Sequence, residues 1–411
     1  MLESKNAGLR ERLPVLLVLT STYPRWVGDP EPGFVHELCK RLTDRFRVIV
    51  LGPHARGARH EEVMDGVEIL RYRYAPAQLE TLVNDGGIVT NLKRAPWKWL
   101  LLPGFVLALL WSTWRVIARE RPQLAHAHWL IPQGVVLALL SLLDRRTPRF
   151  LVTSHGADLF ALRSAPLRWL KRFVATRAVA LTVVSSAMRD EMARIGIDTA
   201  NVGVQPMGVD LLHRFTPDTS VPRSRNEILF VGRLVEKKGL RHLVDAMPMI
   251  VQACPSAVLT VAGFGPEEAS LREQVVRLGL DSQVRFVGAV PQAALPSLYR
   301  RAAVFVAPFV QTASGDREGL GLVSVEAAGC ACPVVVSRLP AVEDVFSEIE
   351  ATYVEPGNAA QLAAAVIATL EGSAPRPARA TLLNKFDWHV VGQAYGRILQ
   401  TALLVDKPTK F

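Results

Sequence analysis

Residues 228–239 read Ile-Leu-Phe-Val-Gly-Arg-Leu-Val-Glu-Lys-Lys-Gly. A run that is apolar on both faces and ends at a glycine is a buried parallel strand turning sharply into a loop and helix. The same unit recurs along the chain. In the first half the runs are Val15–Thr20, Val48–Gly52, Val67–Tyr72, Leu124–His128, Phe150–Ser154 and Ala180–Ser185. In the second they are Ile228–Gly232, Val258–Gly263, Val284–Gly288, Val304–Pro308, Val334–Ser337 and Thr352–Glu355. A strand-and-helix alternation that occurs twice predicts two doubly wound, Rossmann-like α/β domains. The expected spans are 1–205 and 206–385, with a hinge near 196–225 where Gly203, Pro206, Gly208, Pro217 and Pro222 cluster. A final helix within 386–411, amphipathic from Val390 to Leu404, has no strand left to serve and is expected to pack back on the first domain. Two such domains facing a central cleft would present the carboxyl ends of both strand sets to a ligand.

The chain has 411 residues, 49% of them apolar, and a formal net charge of +10. That length supports two or three domains with real cores and excludes a disordered chain. The charge is uneven: residues 1–190 hold 27 Lys+Arg and 16 Asp+Glu, or +11, and residues 191–411 hold 21 and 22, or −1. Such an imbalance concerns partners and not fold. Cys39, Cys254, Cys330 and Cys332 are too few for a disulfide framework and read as buried small residues in a reducing compartment. The first apolar run is short and has no small-residue cleavage site after it, so no secretory signal is expected. The stretch from Trp99 to Trp114 is interrupted by Pro103 and Gly104 and falls short of a bilayer span. On its own it reads first as a buried helix. The basic first half lends weight to the other reading, a helix in a membrane interface.

Dinucleotide chemistry is disfavoured: Gly263-Phe264-Gly265 lacks the third glycine of G-x-G-x-x-G, and no P-loop motif is present. The strongest local signal is EGLGLVSVEAAGCACPVVVS at 318–337. Its glycines open a helix whose free N–H groups can face an anion, and Glu318 and Glu326 stand eight residues apart. A carboxylate at 326, on a helix of small apolar residues, needs a buried partner. Arg233 and Lys238 follow the strand at 228–232, where two cations suit a diphosphate without a metal. No Asp-x-Asp pair exists to hold Mg²⁺. His126 and His128 alternate on one strand face, which makes a metal pair conceivable, but no third ligand is placed and ordinary core histidines are the stronger reading.

These segments resemble retaining glycosyltransferases of family 4, which have the GT-B fold. The matching pieces are GRLVEKKG at 232–239, AGFGP at 262–266, FVG at 286–288, LPSLYRRAAVFVAPF at 295–309 and the two glutamates at 318 and 326. The first half adds TSTYPRWVGDPEPGFVHEL at 20–38, HAHWLIPQG at 126–134 and TSHGADL at 153–159. The resemblance covers nearly the whole chain and is to members acting in exopolysaccharide, colanic-acid-like or other cell-surface glycan assembly. Two departures are Gly329-Cys330-Ala331, where Ala-x-Gly is more usual, and Ala303, where Asp is.

The resemblance implies that Arg233 and Lys238 hold the donor diphosphate and that Glu318 binds donor-sugar hydroxyls. The N–H groups of Gly319, Leu320, Gly321 and Leu322 would serve sugar and phosphate, and Glu326 the ribose. Gly263 and Gly265 would line the base and phosphate pocket. Gly33 would admit the diphosphate and His155 would sit near the anomeric carbon, with His128 and Asp158 in acceptor-side or supporting roles. The implied protein is a metal-independent hexosyltransferase using a UDP- or GDP-sugar and a lipid-linked or glycan acceptor. It would work in the cytoplasm at the inner face of an anionic membrane, without nucleic acid. A nucleotide-sugar epimerase, or a non-catalytic nucleotide-sugar-binding protein on the same fold, is the alternative.

Overall fold

Among the residues described by the computed structural model, 13–404 apart from positions 30, 32, 85, 86, 348, 374, 376 and 377, fourteen strands form two sheets. The first sheet contains β1 (Val15–Leu19), β2 (Arg47–Pro53), β3 (Glu61–Met64), β4 (Val67–Tyr72), β5 (Leu124–His128), β6 (Arg149–Ser154), β7 (Ala180–Val183) and β8 (Val202–Val204). Its order is β3-β4-β2-β1-β5-β6-β7-β8. The second contains β9 (Glu227–Val231), β10 (Val258–Ala262), β11 (Val284–Gly288), β12 (Val304–Ala307), β13 (Val334–Ser337) and β14 (Thr352–Val354), in the order β11-β10-β9-β12-β13-β14. All pairs are parallel except β3 with β4.

The twelve runs expected from sequence are all strands, and two strands escape that reading. β3 is charged on an exposed edge, so it lacks the apolar signature, yet Asp65-Gly66 that joins it to β4 has φ of 48° and 82°. That dipeptide is a hairpin turn signal in its own right. β8 has three residues and lies in the segment read as hinge.

In each sheet the strand order reverses beside the first strand, between β1 and β5 and between β9 and β12. Ligands of open α/β sheets bind at the carboxyl ends of strands beside such a reversal. The second sheet is held by a layer in which Ile228, Phe230 and Val261 pack with Leu243, Val244 and Met247 of the Leu240–Ala253 helix. Burying each such side chain stabilises the fold by about 1.5–3 kcal/mol.

The chain divides into two units. One comprises residues 1–184, 188–206 and 391–411, and the other 185–187 and 207–390. Of these spans, 1–12 and 405–411 lie outside the described residues. The crossing falls at 206/207 and the return at 390/391, inside the Trp388–Leu404 helix and not at its start. Asp387 accepts from the N–H groups of His389 at 2.7 Å and Leu211 at 3.1 Å, which caps the helix and ties it to the crossing segment. From Val391 onward the helix belongs to the first unit. Tyr395 is buried there with its hydroxyl donating to the Gln205 carbonyl at 3.2 Å, and Arg149 donates to the Leu403 carbonyl at 2.7 Å.

The Trp99–Trp114 stretch is neither interrupted nor too short, and it is buried on one face only. A continuous helical segment runs from Pro96 to Glu120, 25 residues, long and apolar enough by length and composition to cross a membrane. Pro103 does not interrupt it, because it sits in the first turn of the Leu101–Glu120 helix, where its missing N–H would have no partner anyway. Gly104 lets the helix approach the Tyr74 carbonyl; a Cβ there would lie 2.8 Å from that oxygen. One face, Leu101, Phe105, Leu109, Thr113, Val116 and Ile117, is buried against the sheet side of the unit, with Phe105 packed on Tyr72 and Tyr74. The opposite face is bare: Leu100 is 82% exposed, Leu107 64%, Trp111 60% and Trp99, just before the helix, 59%.

Ala331 adopts φ of 56°, the left-handed region in which a Cβ costs about 1–2 kcal/mol. This is the physical sense of the glycine that the resemblance leads one to expect. Ala331→Gly is expected to raise stability by about 0.5–1 kcal/mol, the relieved strain exceeding the added chain entropy. The midpoint of urea unfolding measures it, and an unchanged or lower midpoint contradicts the account.

Candidate active site

The site of the second unit grows from the two strands beside its reversal. β9 ends at Val231, and the chain continues through Gly232 and Arg233 into a single 3-10 turn, Glu236–Lys238, before Gly239 starts the next helix. Gly239 has φ of 68°, and a Cβ on it would lie 1.8 Å from the carbonyl oxygen of Pro308, just after β12. Only glycine lets these two strand ends approach so closely, and their approach seats Lys238 with its Nζ 4.8 Å from the centre of the Phe309 ring.

Lys238 Nζ lies 2.8 Å from Oε2 of Glu318. Burial alone would raise the Glu318 carboxyl, but Lys238, Lys237 and Arg233 outweigh it and hold it at about 2. Lys237 has its own partner, Asp316, at 3.2 Å. The pair sequence reasoning treated as separate, a cation for phosphate and a carboxylate for sugar, is therefore one unit in the structure. The carboxylate fixes the ammonium, whose three N–H donors still exceed the one bond it makes.

Of the four amides assigned to sugar and phosphate, that of Gly321 is already engaged. It donates to Glu318 Oε1 at 3.3 Å. Gly321, at φ of 81°, is the last residue before the Leu322–Gly329 helix, so Glu318, three residues ahead of it, reaches forward and accepts from the N–H at the helix entry. Ser324 in the first turn is buried, and its hydroxyl finds no partner among the described residues. Sequence reasoning passed it over.

Glu326 is buried in the second turn of the same helix, and its partner is Tyr299, whose hydroxyl donates to Oε2 at 2.9 Å. Tyr299 is fully buried between Phe215 and Phe305. It lies inside the 295–309 stretch quoted for the resemblance, but nothing in the spacing announced the contact. Burial pushes the Glu326 carboxyl up to about 7, against the pull of Tyr299.

Gly263 and Gly265 carry a packing constraint. A Cβ on Gly263 would fall 1.8 Å from the Gly232 carbonyl oxygen, and one on Gly265 2.3 Å from that of Leu234. They let the β10 loop lie against the Arg233 loop, whatever else they line.

In the first unit, His128 ends β5 and His155 follows β6, with Nδ1 of His128 2.8 Å from Nε2 of His155. Phe34 and Trp129 wall His155, their ring centres 4.9 and 5.1 Å away. Asp158 binds both loops, accepting from the Leu130 N–H at 2.7 Å and the Ser154 hydroxyl at 2.8 Å. His126 bonds Thr153 Oγ1 at 2.7 Å and is an ordinary core histidine. No three metal-ligating side chains gather among the described residues. Gly33, with φ of −90°, meets only Pro24 within 4 Å, so the fold itself does not demand a glycine there.

The chain matches the family described as Glycosyltransferase Family 4 over residues 34–212 and that described as Glycosyl transferases group 1 over 225–372. A phosphatidyl-myo-inositol mannosyltransferase of Mycobacterium tuberculosis is 31% identical over 284 residues, 66% of this chain and 72% of that one. The chain belongs to glycosyltransferase family 4. A glycogen synthase of the same organism is 26% identical over 94% of each chain. Among solved structures, sucrose-phosphate synthase from Thermosynechococcus elongatus has a TM-score of 0.74 at 21% identity, covering 96% of this chain and all of that one. Anabaena HepE in complex with UDP and glucose has 0.71 at 18%, covering 94% and 100%. These likenesses identify the fold as GT-B, and the protein is a glycosyltransferase that uses nucleotide sugars.

In this glycosyltransferase the buried carboxyl of Glu326 makes the stability of the fold sensitive to pH. A folded-state value near 7 lies above the ordinary 4.5, so the folded state binds more protons than the unfolded between those values, and stability falls as pH rises through them. Glu326→Gln removes that loss. The variant's gain in melting temperature over the parent is expected to be smallest below pH 4.5 and to grow to its maximum above pH 7, corresponding to about 3 kcal/mol at most. A difference independent of pH contradicts the assignment.

Proposed function

We propose that the protein is a retaining, metal-independent hexosyltransferase that moves a hexose from a UDP- or GDP-sugar to a lipid-linked or cell-surface glycan acceptor in exopolysaccharide-type assembly. The observation that carries this reading is the Lys238–Glu318 pair, with Arg233 beside it, at the reversal of the donor-side sheet. In this reading Arg233 and Lys238 face the diphosphate and Glu318 turns its remaining acceptor capacity to the sugar hydroxyls. The amides at the start of the Leu322–Gly329 helix meet phosphate or sugar. Glu326 and Tyr299 serve the ribose.

Transfer breaks the bond between the anomeric carbon and the leaving phosphate oxygen and forms one to the acceptor oxygen. Positive charge grows on the carbon and negative charge on the phosphate, and the two cations stabilise the latter. The acceptor hydroxyl gives its proton to the leaving phosphate oxygen on the same face, so configuration is retained without a covalent intermediate. Fixed cations supply what a divalent ion would otherwise supply. Support for a lipid-linked acceptor comes from the mannosyltransferase relative, whose name contains phosphatidylinositol, and from the bare face of the Leu101–Glu120 helix. That face borders an apolar groove lined by Leu107, Leu110, Trp111, Trp114, Leu140 and Leu143. With the +11 of residues 1–190 it suits the anionic inner face of a cytoplasmic membrane.

Glu318→Ala is expected to abolish transfer while leaving the circular dichroism spectrum unchanged; full activity removes the central claim. The right donor at 100 times its dissociation constant adds about 2.7 kcal/mol to the folded state, so a thermal-shift screen of nucleotide sugars names it. Epimerised nucleotide sugar without acceptor product would favour the epimerase reading instead. Binding to vesicles containing anionic lipid is expected to weaken with salt and to fall further in Leu107→Ser/Trp111→Ser. Vesicle binding unaffected by both changes overturns the membrane part of the reading.

A further inference from the structure

His155 has two ring nitrogens, and His128 already occupies one of them. In the 2.8 Å contact between His128 Nδ1 and His155 Nε2, one nitrogen carries a proton and the other a lone pair. The remaining nitrogen of His128, Nε2, is buried and has no hydrogen-bond partner among the described residues. A proton placed there would leave an orphaned buried N–H, the rarest kind of unpaired group in folded proteins. Placed on Nδ1, the proton is bonded and only a lone pair goes unpaired. His126 follows the same rule, with Nε2 on Thr153 Oγ1 at 2.7 Å and Nδ1 unpartnered.

Protonation of both nitrogens is not an escape. Burial pushes His126 and His155 down to about 3 and His128 well below its ordinary value. Phe34 and Trp129 pack on His155, and the Asp158 carboxylate three residues on is taken by Leu130 and Ser154. His128 therefore donates from Nδ1 to His155, and His155 must carry its own proton on the other side of its ring.

We propose that His128 is a positioning residue that locks His155 in the Nδ1–H form, making His155 a hydrogen-bond donor to an oxygen of the sugar or the leaving phosphate. The inference rests on the proposed transfer reaction and on the place beside the anomeric carbon that the family resemblance implies for His155, and it sharpens that reading. A histidine whose remaining nitrogen bears the proton has no lone pair with which to take the acceptor hydroxyl's proton. The base must lie elsewhere, on the departing phosphate oxygen itself.

The test uses the full chain with 15N-labelled histidine, the His155 signals being those lost in His155→Gln. The expected result is a pyrrole-type Nδ1 and a pyridine-type Nε2 in the free enzyme; the reverse assignment overturns the proposal whatever the activity. In His128→Asn the amide N–H can stand where Nδ1–H stood, and in His128→Leu nothing can. His128→Leu is expected to release His155 to the Nε2–H form and lower kcat on the order of 10²-fold with little change in the donor KM, as loss of an enforced tautomer or of an electrostatic donor does elsewhere. His128→Asn is expected to keep the tautomer and most of the rate. Equal losses in both variants with an unchanged tautomer sink the idea. If His128→Leu does not fold, the tautomers of the parent and of His128→Asn decide. Because the spectrum needs no acceptor, failure to find glycosyl transfer is distinguishable from failure of this inference.

Discussion

The ion pair of Lys238 with Glu318 joins two loops that are 80 residues apart in sequence and leave neighbouring strands of one sheet. Everything about the donor side follows from the geometry that permits it. Parallel strands bring β9 and β12 together at their carboxyl ends, Gly239 lets one backbone touch the other, and Phe309 supplies the ring that Lys238 crosses. A buried carboxylate is costly to ionise, and three cations close by reverse that cost. The result is a fixed charge pattern that needs little rearrangement when charge develops on a leaving group, which is what makes such sites effective.

The two glutamates of the 318–326 motif illustrate how environment divides like residues. Glu318, among lysines, is held ionised; Glu326, whose burial outweighs the pull of the Tyr299 hydroxyl and of Arg214 and Lys238, is held toward the neutral form. A neutral carboxyl can donate as well as accept. Its proton would be given up or retained according to what a ligand brings to the pocket.

Where β5 and β6 end in the first unit, histidine and threonine side chains are buried with neutral partners. His126 bonds Thr153, which bonds Thr182; His128 bonds His155 at the neighbouring strand ends; and Asp158 pins the loops that follow. Networks of this kind hold a unique geometry because each member has few alternatives. The Leu101–Glu120 helix lies on the same unit and follows different physics: one face satisfies the core and the other leaves large apolar side chains in water, which a soluble surface rarely tolerates in one patch.

The repeated apolar runs determined the two sheets, because a strand buried on both faces has no other way to be written. The motif glycines and charged residues marked the strand ends where a ligand would sit, and their resemblance to family 4 supplied the chemistry. What sequence could not determine were the partners. That Lys238 meets Glu318, that Tyr299 meets Glu326, that the Gly321 amide is spent on Glu318, and that His128 meets His155 depend on residues 3 to 80 positions apart. The unbroken helix through Pro103 and Gly104 was also hidden, since its start fixes whether a proline breaks it. Composition and periodicity act locally along the chain; a hydrogen bond or ion pair between loops exists only once the sheet has fixed the distance between them.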